Sequence, residues 1–167
     1  MIQKYGKHLA ALSMLLASGA SVTPVLAEES QPLLDRNRFS IGGGISSNSI
    51  DSRKNDEDNE LGFQFFGAYD LSGINLMEGV NSSLEFGLMD YGFKRDSTGI
   101  WATYTVDALI SGKLGWVARA GLDIGDDSGL MVGAGIAYVN DAKSDIRIEY
   151  VARDEVDSWQ VNYLYHL

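Results

Sequence analysis

The fold is decided by the stretch WQVNYLYHL, which runs from Trp159 to Leu167. Large apolar and aromatic residues occupy every second position of this stretch: Trp159, Val161, Tyr163, Tyr165 and Leu167. Successive side chains of a β-strand point to opposite faces, so this spacing gathers them all on one face. The stretch therefore predicts a strand with one apolar face.

This stripe resembles the carboxy-terminal assembly signal of bacterial outer-membrane β-barrels. Such signals usually end in Phe, and Leu167 is a conservative departure from that pattern. The resemblance implies that the apolar face meets lipid and that the same five residues mark the chain for insertion. Because the sequence ends with this strand, we expect no periplasmic domain after the barrel.

The amino-terminal residues have the features of a secretory signal peptide. Lys4 and Lys7 precede an apolar run at residues 9–20, and residues 25–27 (VLA) offer a small-x-small cleavage site. The run is much shorter than the roughly 20 residues of a membrane-spanning helix. We therefore predict a cleaved signal at residues 1–27 and one exported domain at residues 28–167.

The composition agrees with an exported protein that does not bind nucleic acid. The chain has 23 acidic and 13 basic residues, with a net charge of −10, whereas phosphate binding needs a basic surface. It has no Cys, so disulfides cannot stabilise it. Nineteen Gly with two Pro are typical of closely packed, twisted strands with short turns.

Alternation of apolar with polar or glycine residues predicts seven further strands before the last one. The eight predicted strands are 37–46, 61–71, 82–91, 100–110, 114–124, 130–138, 145–151 and 159–167. Most reach the roughly 9–11 residues that a tilted membrane strand needs, more than the usual soluble strand of about 5–6.

Alternation alone does not separate a lipid-facing barrel from a soluble β-sandwich, which hides its apolar face inside. The signal peptide, the strand lengths, the even strand number and the aromatic terminus together favour the barrel. We therefore predict an eight-stranded antiparallel up-and-down transmembrane β-barrel. A soluble periplasmic β-protein remains the alternative.

Three segments resemble the small OmpA-like and OmpX-like outer-membrane β-barrel superfamily: 83–92 (SLEFGLMDYG), 116–121 (WVARAG) and 146–150 (IRIEY). The resemblance implies location in the Gram-negative outer membrane and insertion by the barrel-assembly machinery with periplasmic chaperones. It also implies contact with outer-membrane lipid and lipopolysaccharide. The sequence gives no oligomeric state, and we expect a monomer. With both termini in the periplasm, the connections at 47–60, 92–99, 125–129 and 152–157 face outward.

The lumen is the candidate functional site, because an eight-stranded barrel is just wide enough for its own side chains to fill it. The alternation points five charged residues inward: Glu85, Asp107, Arg119, Arg147 and Glu149. Buried charges must be paired, since an isolated ion in a low-dielectric interior is very costly. We predict a structural network in which Arg119 and Arg147 neutralise Glu85 and Glu149.

Aromatic residues near the predicted strand ends are candidates for the two interfacial girdles of a membrane barrel. They are Tyr69, Tyr91, Trp101, Trp116, Tyr138, Trp159 and Tyr165. Acidic loop clusters at 56–58 and 126–127 match no metal-ligand spacing, so we predict solvated charge and no metal.

The sequence predicts neither an enzyme nor a cofactor. Small outer-membrane barrels that act on acyl chains use a His with Ser and an acidic partner. Of the two histidines, His8 leaves with the signal, and His166 lies at the periplasmic end of the last strand without a local Ser-x-His motif. The glycines at 42–44 and 133–135 lack the further residues of nucleotide-binding loops.

Three functional hypotheses follow. The first, which we favour, is a structural or surface protein of the cell envelope with a side-chain-filled lumen and short acidic outer loops. The second is an adhesin or host-interaction barrel, and the third is a narrow ion channel.

Overall fold

The computed structural model describes residues 34–50, 59–71, 77–93, 98–125 and 128–167. These contain a short 3-10 helix, Arg36–Arg38, and eight strands. The strands are β1 (Phe39–Ile50), β2 (Glu60–Asp70), β3 (Asn81–Asp90), β4 (Thr98–Ser111), β5 (Leu114–Gly125), β6 (Gly129–Asp141), β7 (Ser144–Ala152) and β8 (Val156–His166). The predicted signal at 1–27 and the acidic clusters at 56–58 and 126–127 lie outside the described residues.

The strands form a closed barrel in which each strand pairs with the next and β8 pairs with β1. All the pairings are antiparallel. The predicted eight-stranded antiparallel up-and-down barrel is therefore confirmed. Within the described part of the chain, no helix has both the length and the apolar character to cross a membrane.

The predicted strands lie within a few residues of the observed ones, and the largest differences are at the end of β1, the end of β6 and the start of β8. β1 continues to Ile50 and β8 begins at Val156, because these two strands pair with each other over their whole length. Residues 47–50 are mostly polar, so their hydropathy does not reveal a strand, although the pairing makes one.

Apolar side chains cover the outside of the barrel. Large exposed residues recur on every strand, and they include Ile41, Ile45, Phe63, Phe65, Phe86, Leu88, Ile100, Leu122, Val132, Ile136, Ile148, Trp159 and Val161. The residues between them point into the lumen, where many of the buried side chains are polar or charged. The barrel is thus apolar outside and polar inside, the reverse of a soluble protein.

Two of the predicted girdle residues lie in the lumen instead of on the exterior. Trp101 and Tyr91 are each 1% exposed, so their predicted place in the interfacial girdles is wrong. Trp101 and the buried Thr103 are two residues apart on β4, so they have the same strand parity, which means that their side chains point to the same side of the sheet. The ring of Trp101 lies 5.6 Å from that of Phe66. Its indole lies over Gly87, the residue opposite it on β3, where a Cβ would overlap the ring. Strand parity, rather than aromatic character, decides which side such a residue takes.

The other aromatic candidates are more accessible. Tyr138, Trp159 and Tyr165 are exposed on the outside, while Tyr69 and Trp116 are half-buried.

Candidate functional site

Four charged side chains from β3, β5 and β7 meet in the middle of the lumen. Arg119 Nη2 lies 2.7 Å from Glu149 Oε1 and 2.6 Å from its Oε2, and Arg119 Nη1 lies 3.4 Å from Glu85 Oε2. Arg147 Nη1 donates to Glu85 Oε1 at 2.7 Å. All four are buried, so each charge is balanced by its neighbours rather than by water. We call these residues the central ion network.

Glycines on β6 make room for this network. Gly133 lies opposite Arg119 and Gly135 opposite Glu149 in the strand register. A Cβ on Gly133 would lie 2.9 Å from Val151 Cγ2 and 3.1 Å from Arg119 Cγ. A Cβ on Gly135 would overlap the Ile148 carbonyl oxygen and lie 2.9 Å from Glu149 Cγ. The Gly-Ala-Gly sequence therefore has a packing role: the absent side chains leave space for two long charged ones.

Amide side chains connect the central ion network to the seam between β1 and β8. Asn162 Nδ2 donates to Glu149 Oε1 at 3.0 Å, and Gln64 Nε2 donates to Asn162 Oδ1 at 2.7 Å and to Gln160 Oε1 at 2.8 Å. Gln64 is on β2 and Asn162 on β8, so this link passes across β1, where Gly44 has no side chain in the way.

Asp107 lies apart from the central ion network. Its Oδ2 accepts a hydrogen bond from Asn81 Nδ2 at 3.0 Å, and it lines a cavity at the barrel end where β1 begins and β8 ends. We call that end the terminal mouth. Of the five charged residues predicted to point inward, the structure brings four together and leaves Asp107 at this mouth.

A second charged cluster lies toward the opposite end of the lumen, and the sequence analysis did not find it. Asp123 Oδ2 accepts hydrogen bonds from Tyr91 Oη at 2.6 Å and from Arg153 Nε at 2.8 Å. Arg153 Nη1 also donates to Ser158 Oγ at 2.7 Å. Asp123 has the same strand parity as Arg119, and Arg153 the same parity as Arg147, so parity is the signal that identifies both.

A third polar cluster occupies the terminal mouth, where three neighbouring strands each contribute one side chain. Ser40 of β1 lies directly opposite His166 of β8, and their Oγ and Nδ1 atoms are 2.8 Å apart. The other ring nitrogen of His166, Nε2, lies 2.6 Å from Asp145 Oδ1 on β7. Asp145 Oδ2 accepts a hydrogen bond from Arg147 Nε at 3.0 Å, which connects this cluster to the central ion network.

The cavity at the terminal mouth has a volume of about 410 Å³. Its lining includes Ser40, Asp145, Arg147 and His166. The sequence around His166 contains no Ser-x-His motif and therefore does not indicate a serine partner. Closure of the barrel supplies one from 126 residues away.

The five residues of the terminal stripe all lie on the outside. Trp159, Val161, Tyr163 and Tyr165 are exposed along β8, and Leu167 follows the last strand residue. The Leu167 backbone N–H donates to the Phe39 carbonyl oxygen at 3.0 Å, which extends the β1–β8 seam by one bond. No group of three or more His, Cys, Asp or Glu side chains suited to a metal ion occurs among the described residues.

The chain matches no known protein-family profile and no curated protein sequence. Its fold is similar to that of several solved barrels. One structure, from work on the de novo design of transmembrane β-barrels, is 13% identical, with a TM-score of 0.56 over 80% of this chain and 98% of that chain. Ail, the attachment invasion locus protein of Yersinia pestis, is 17% identical, with a TM-score of 0.53 over 76% of this chain and 96% of its own.

A third similar structure is the outer membrane enzyme PagL, which is 10% identical, with a TM-score of 0.53 over 77% of this chain and 99% of its own. At these identities the likeness concerns the fold alone, and this chain has the fold of small eight-stranded outer-membrane barrels. Since one protein with the fold is an enzyme and another is an attachment protein, the fold itself does not decide between catalysis and adhesion.

Proposed function

We propose that this chain is an integral protein of the Gram-negative outer membrane with a structural or surface role in the cell envelope. The observation that carries the proposal is the reversed polarity of the barrel. Its outside presents leucine, isoleucine and aromatic side chains on every strand, whereas its inside holds paired charges and amides. In water that exterior would drive aggregation, whereas in a bilayer it is the stable arrangement.

The lumen supports a structural role over conduction. The central ion network spans from β3 through β5 to β7, and the Asp123–Arg153 pair lies farther along the lumen. An ion entering the lumen has to separate buried pairs, each of which is costly to break. The networks therefore act as a rigid filling that holds the strands together.

The proposal includes a topology and a set of partners. Residues 1–27 act as a cleaved export signal, both ends of the barrel chain lie in the periplasm, and the connections after β1, β3, β5 and β7 face outward. Barrel-assembly machinery and periplasmic chaperones recognise the apolar stripe from Trp159 to Leu167 and insert the chain as a monomer. Outer-membrane lipid and lipopolysaccharide then surround it, and we assign the chain to the OmpA-like superfamily on the segments described above.

Acidic residues at the outward end argue against one form of adhesion. Asp154 and Glu155 are exposed in the connection between β7 and β8, and Asp157 follows at the start of β8. Negative charge at this position repels anionic polysaccharides, so a surface role that depends on such ligands is not favoured.

The experiment that tests the proposal is heat modifiability of the protein extracted from cell envelopes. A closed barrel keeps all its backbone hydrogen bonds within the ring, so it resists detergent until it is boiled and then changes electrophoretic mobility. We expect this shift in protein recovered from the outer-membrane fraction. An unshifted band in the soluble periplasmic fraction contradicts the membrane assignment.

Single-channel recordings in planar bilayers separate the structural role from the channel. We expect no discrete conductance from the wild-type barrel because its charges are paired. Steady openings that change when Glu85 is replaced by Gln contradict the filled-lumen interpretation.

A further inference from the structure

The side chains at the terminal mouth have the order of a serine–histidine–acid relay. Asp145, His166 and Ser40 lie side by side on β7, β8 and β1, with distances of 2.6 Å and 2.8 Å between consecutive polar atoms. The order needs the closed ring, since Ser40 and His166 belong to the first and last strands. The strand register holds all three residues on the lumen side, so the arrangement does not depend on a loop.

In the neutral form of His166, the hydrogen bonds decide which ring nitrogen carries the proton. An ionised carboxylate only accepts, so Asp145 requires a proton on Nε2. Nδ1 of the neutral ring is then an acceptor, and the Ser40 hydroxyl donates to it. Arg147 Nε holds the second oxygen of Asp145 and fixes the orientation of the carboxylate. A serine hydroxyl that donates to an oriented, unprotonated imidazole is an activated nucleophile.

We propose that the terminal mouth is a hydrolytic site for carboxylic esters, with Ser40 as the nucleophile and His166 as the general base. Ser40 Oγ forms a bond with the ester carbonyl carbon while its proton moves to His166 Nδ1. The tetrahedral intermediate then loses its alkoxide, which takes that proton from Nδ1 and departs as the alcohol. A water molecule attacks the resulting acyl-serine by the same proton transfers, releasing the carboxylic acid and restoring the Ser40 hydroxyl.

Asp145 and Arg147 have supporting parts in this reaction. Asp145 is a positioning residue that stabilises the imidazolium formed during proton transfer. Arg147 lines the same cavity and supplies positive charge to the developing oxyanion, the kind of stabilisation that acyl transfer requires.

The lining of the cavity selects the substrate class. Leu109, Ala137 and Val139 provide an apolar wall that accommodates an acyl group. Asp70, Asp107 and Asp141 line the cavity as well and give its rim a negative charge. Like charges repel in a partly enclosed site, so phosphate-bearing and carboxylate-bearing esters are disfavoured. The site therefore fits neutral or cationic esters with a short acyl chain.

This activity is separate from the envelope role proposed above and is tested on the detergent-folded barrel, independently of where the protein resides. The first measurement uses a fluorophosphonate probe, which reacts with activated serines, followed by peptide mapping. We expect stoichiometric labelling of the wild-type barrel at Ser40. Absence of labelling, or labelling confined to another serine, overturns the proposal without requiring any variant.

The second measurement is hydrolysis of 4-nitrophenyl butyrate by barrels whose fold is verified by heat modifiability. S40A should remove the activity, and H166N should lower kcat by about 100-fold or more, as expected for loss of a general base. S46A is the matched control, because Ser46 is also buried on the lumen side of β1, and it should keep the wild-type rate. Equal rates for S40A and wild type overturn the proposal.

A third measurement tests the assigned substrate class. The hemisuccinate ester of 4-nitrophenol has an acyl chain of the same length that ends in a carboxylate. We expect a lower kcat/KM for the hemisuccinate than for the butyrate. D107N removes one negative charge from the rim and should therefore bring the two kcat/KM values closer together. An equal or greater kcat/KM for the anionic ester contradicts selection by the acidic rim.

Discussion

Replacing Glu85 by Gln tests whether the central ion network stabilises the barrel. Glu85 is fully buried, and its two oxygens lie 2.7 Å from Arg147 Nη1 and 3.4 Å from Arg119 Nη1. The substitution keeps the shape of the side chain but leaves two guanidinium groups with one fewer carboxylate. Removing one partner of a buried ion pair costs about 3–5 kcal/mol.

We expect Glu85→Gln to lower the free energy of unfolding by about 3 kcal/mol, at the lower end of that range. Gln retains an oxygen that accepts from Arg147, and Glu149 still neutralises Arg119. The assay is urea unfolding of the barrel in detergent micelles or vesicles, followed by tryptophan fluorescence and by the heat-modifiable band. A double-mutant cycle with Arg147→Gln should give a coupling energy of about 1–3 kcal/mol, as for residues in direct contact.

Asp107→Asn is the matched control for the same loss of one negative charge. Asp107 is hydrogen-bonded to Asn81 at the terminal mouth and is not a member of the central ion network. We expect the control to change the free energy of unfolding by less than about 0.5 kcal/mol. If Glu85→Gln and Asp107→Asn have the same small effect, the network does not stabilise the barrel and the reasoning is refuted.

Three further predictions concern packing, orientation and assembly. Gly133→Val should lower the free energy of unfolding by about 1–3 kcal/mol, because the new side chain crowds Val151 and Arg119. The adjacent outward change Ala134→Val should have little effect on the urea midpoint. In variants that keep a single tryptophan, brominated lipid should quench the fluorescence of Trp159, which is 61% exposed, and leave the fluorescence of Trp101, which is 1% exposed, unchanged. Equal quenching of the two contradicts the lumen position of Trp101. The double change Tyr163→Ser with Tyr165→Ser should reduce the heat-modifiable fraction in the outer membrane more than Tyr138→Ser with Tyr150→Ser. Equal reduction indicates that the terminal stripe has no special part in assembly.

Much of the fold follows from a period of two, because alternation is a local property of each strand. Parity assigns Glu85, Arg119, Arg147 and Glu149 to the lumen without any knowledge of which strands are neighbours. The expectation that Trp101 and Tyr91 belong to the interfacial girdles is wrong, because it rests on their aromatic character and ignores the alternation of their strands. The same alternation also places Asp123 and Asp145 in the lumen, and it identifies Arg153 when it is continued two residues past the predicted end of β7.

The cluster of Ser40, His166 and Asp145 at the terminal mouth does not follow from the alternation, for a different reason. Whether Ser40 faces His166 depends on the register of the closing strands, and a shift of one residue would turn one of them outward. The sequence contains no local signal for that register, because the two residues are far apart along the chain. Only the closed ring reveals which polar residues share one end of the lumen.

The amide link across Gly44 also has a consequence for the order of events during folding. Gln64 on β2 reaches Asn162 on β8 only after the first and last strands have met. Pairing of segments so distant in sequence is entropically costly and slow, and the hydrogen bonds of Gln64 do not contribute any stabilisation until the ring closes. The lumen contacts of Gln64 with Gln160 and Asn162 should therefore form together in the final step. Stopped refolding reactions should contain open sheets without these contacts or complete barrels with all of them, and few species in between.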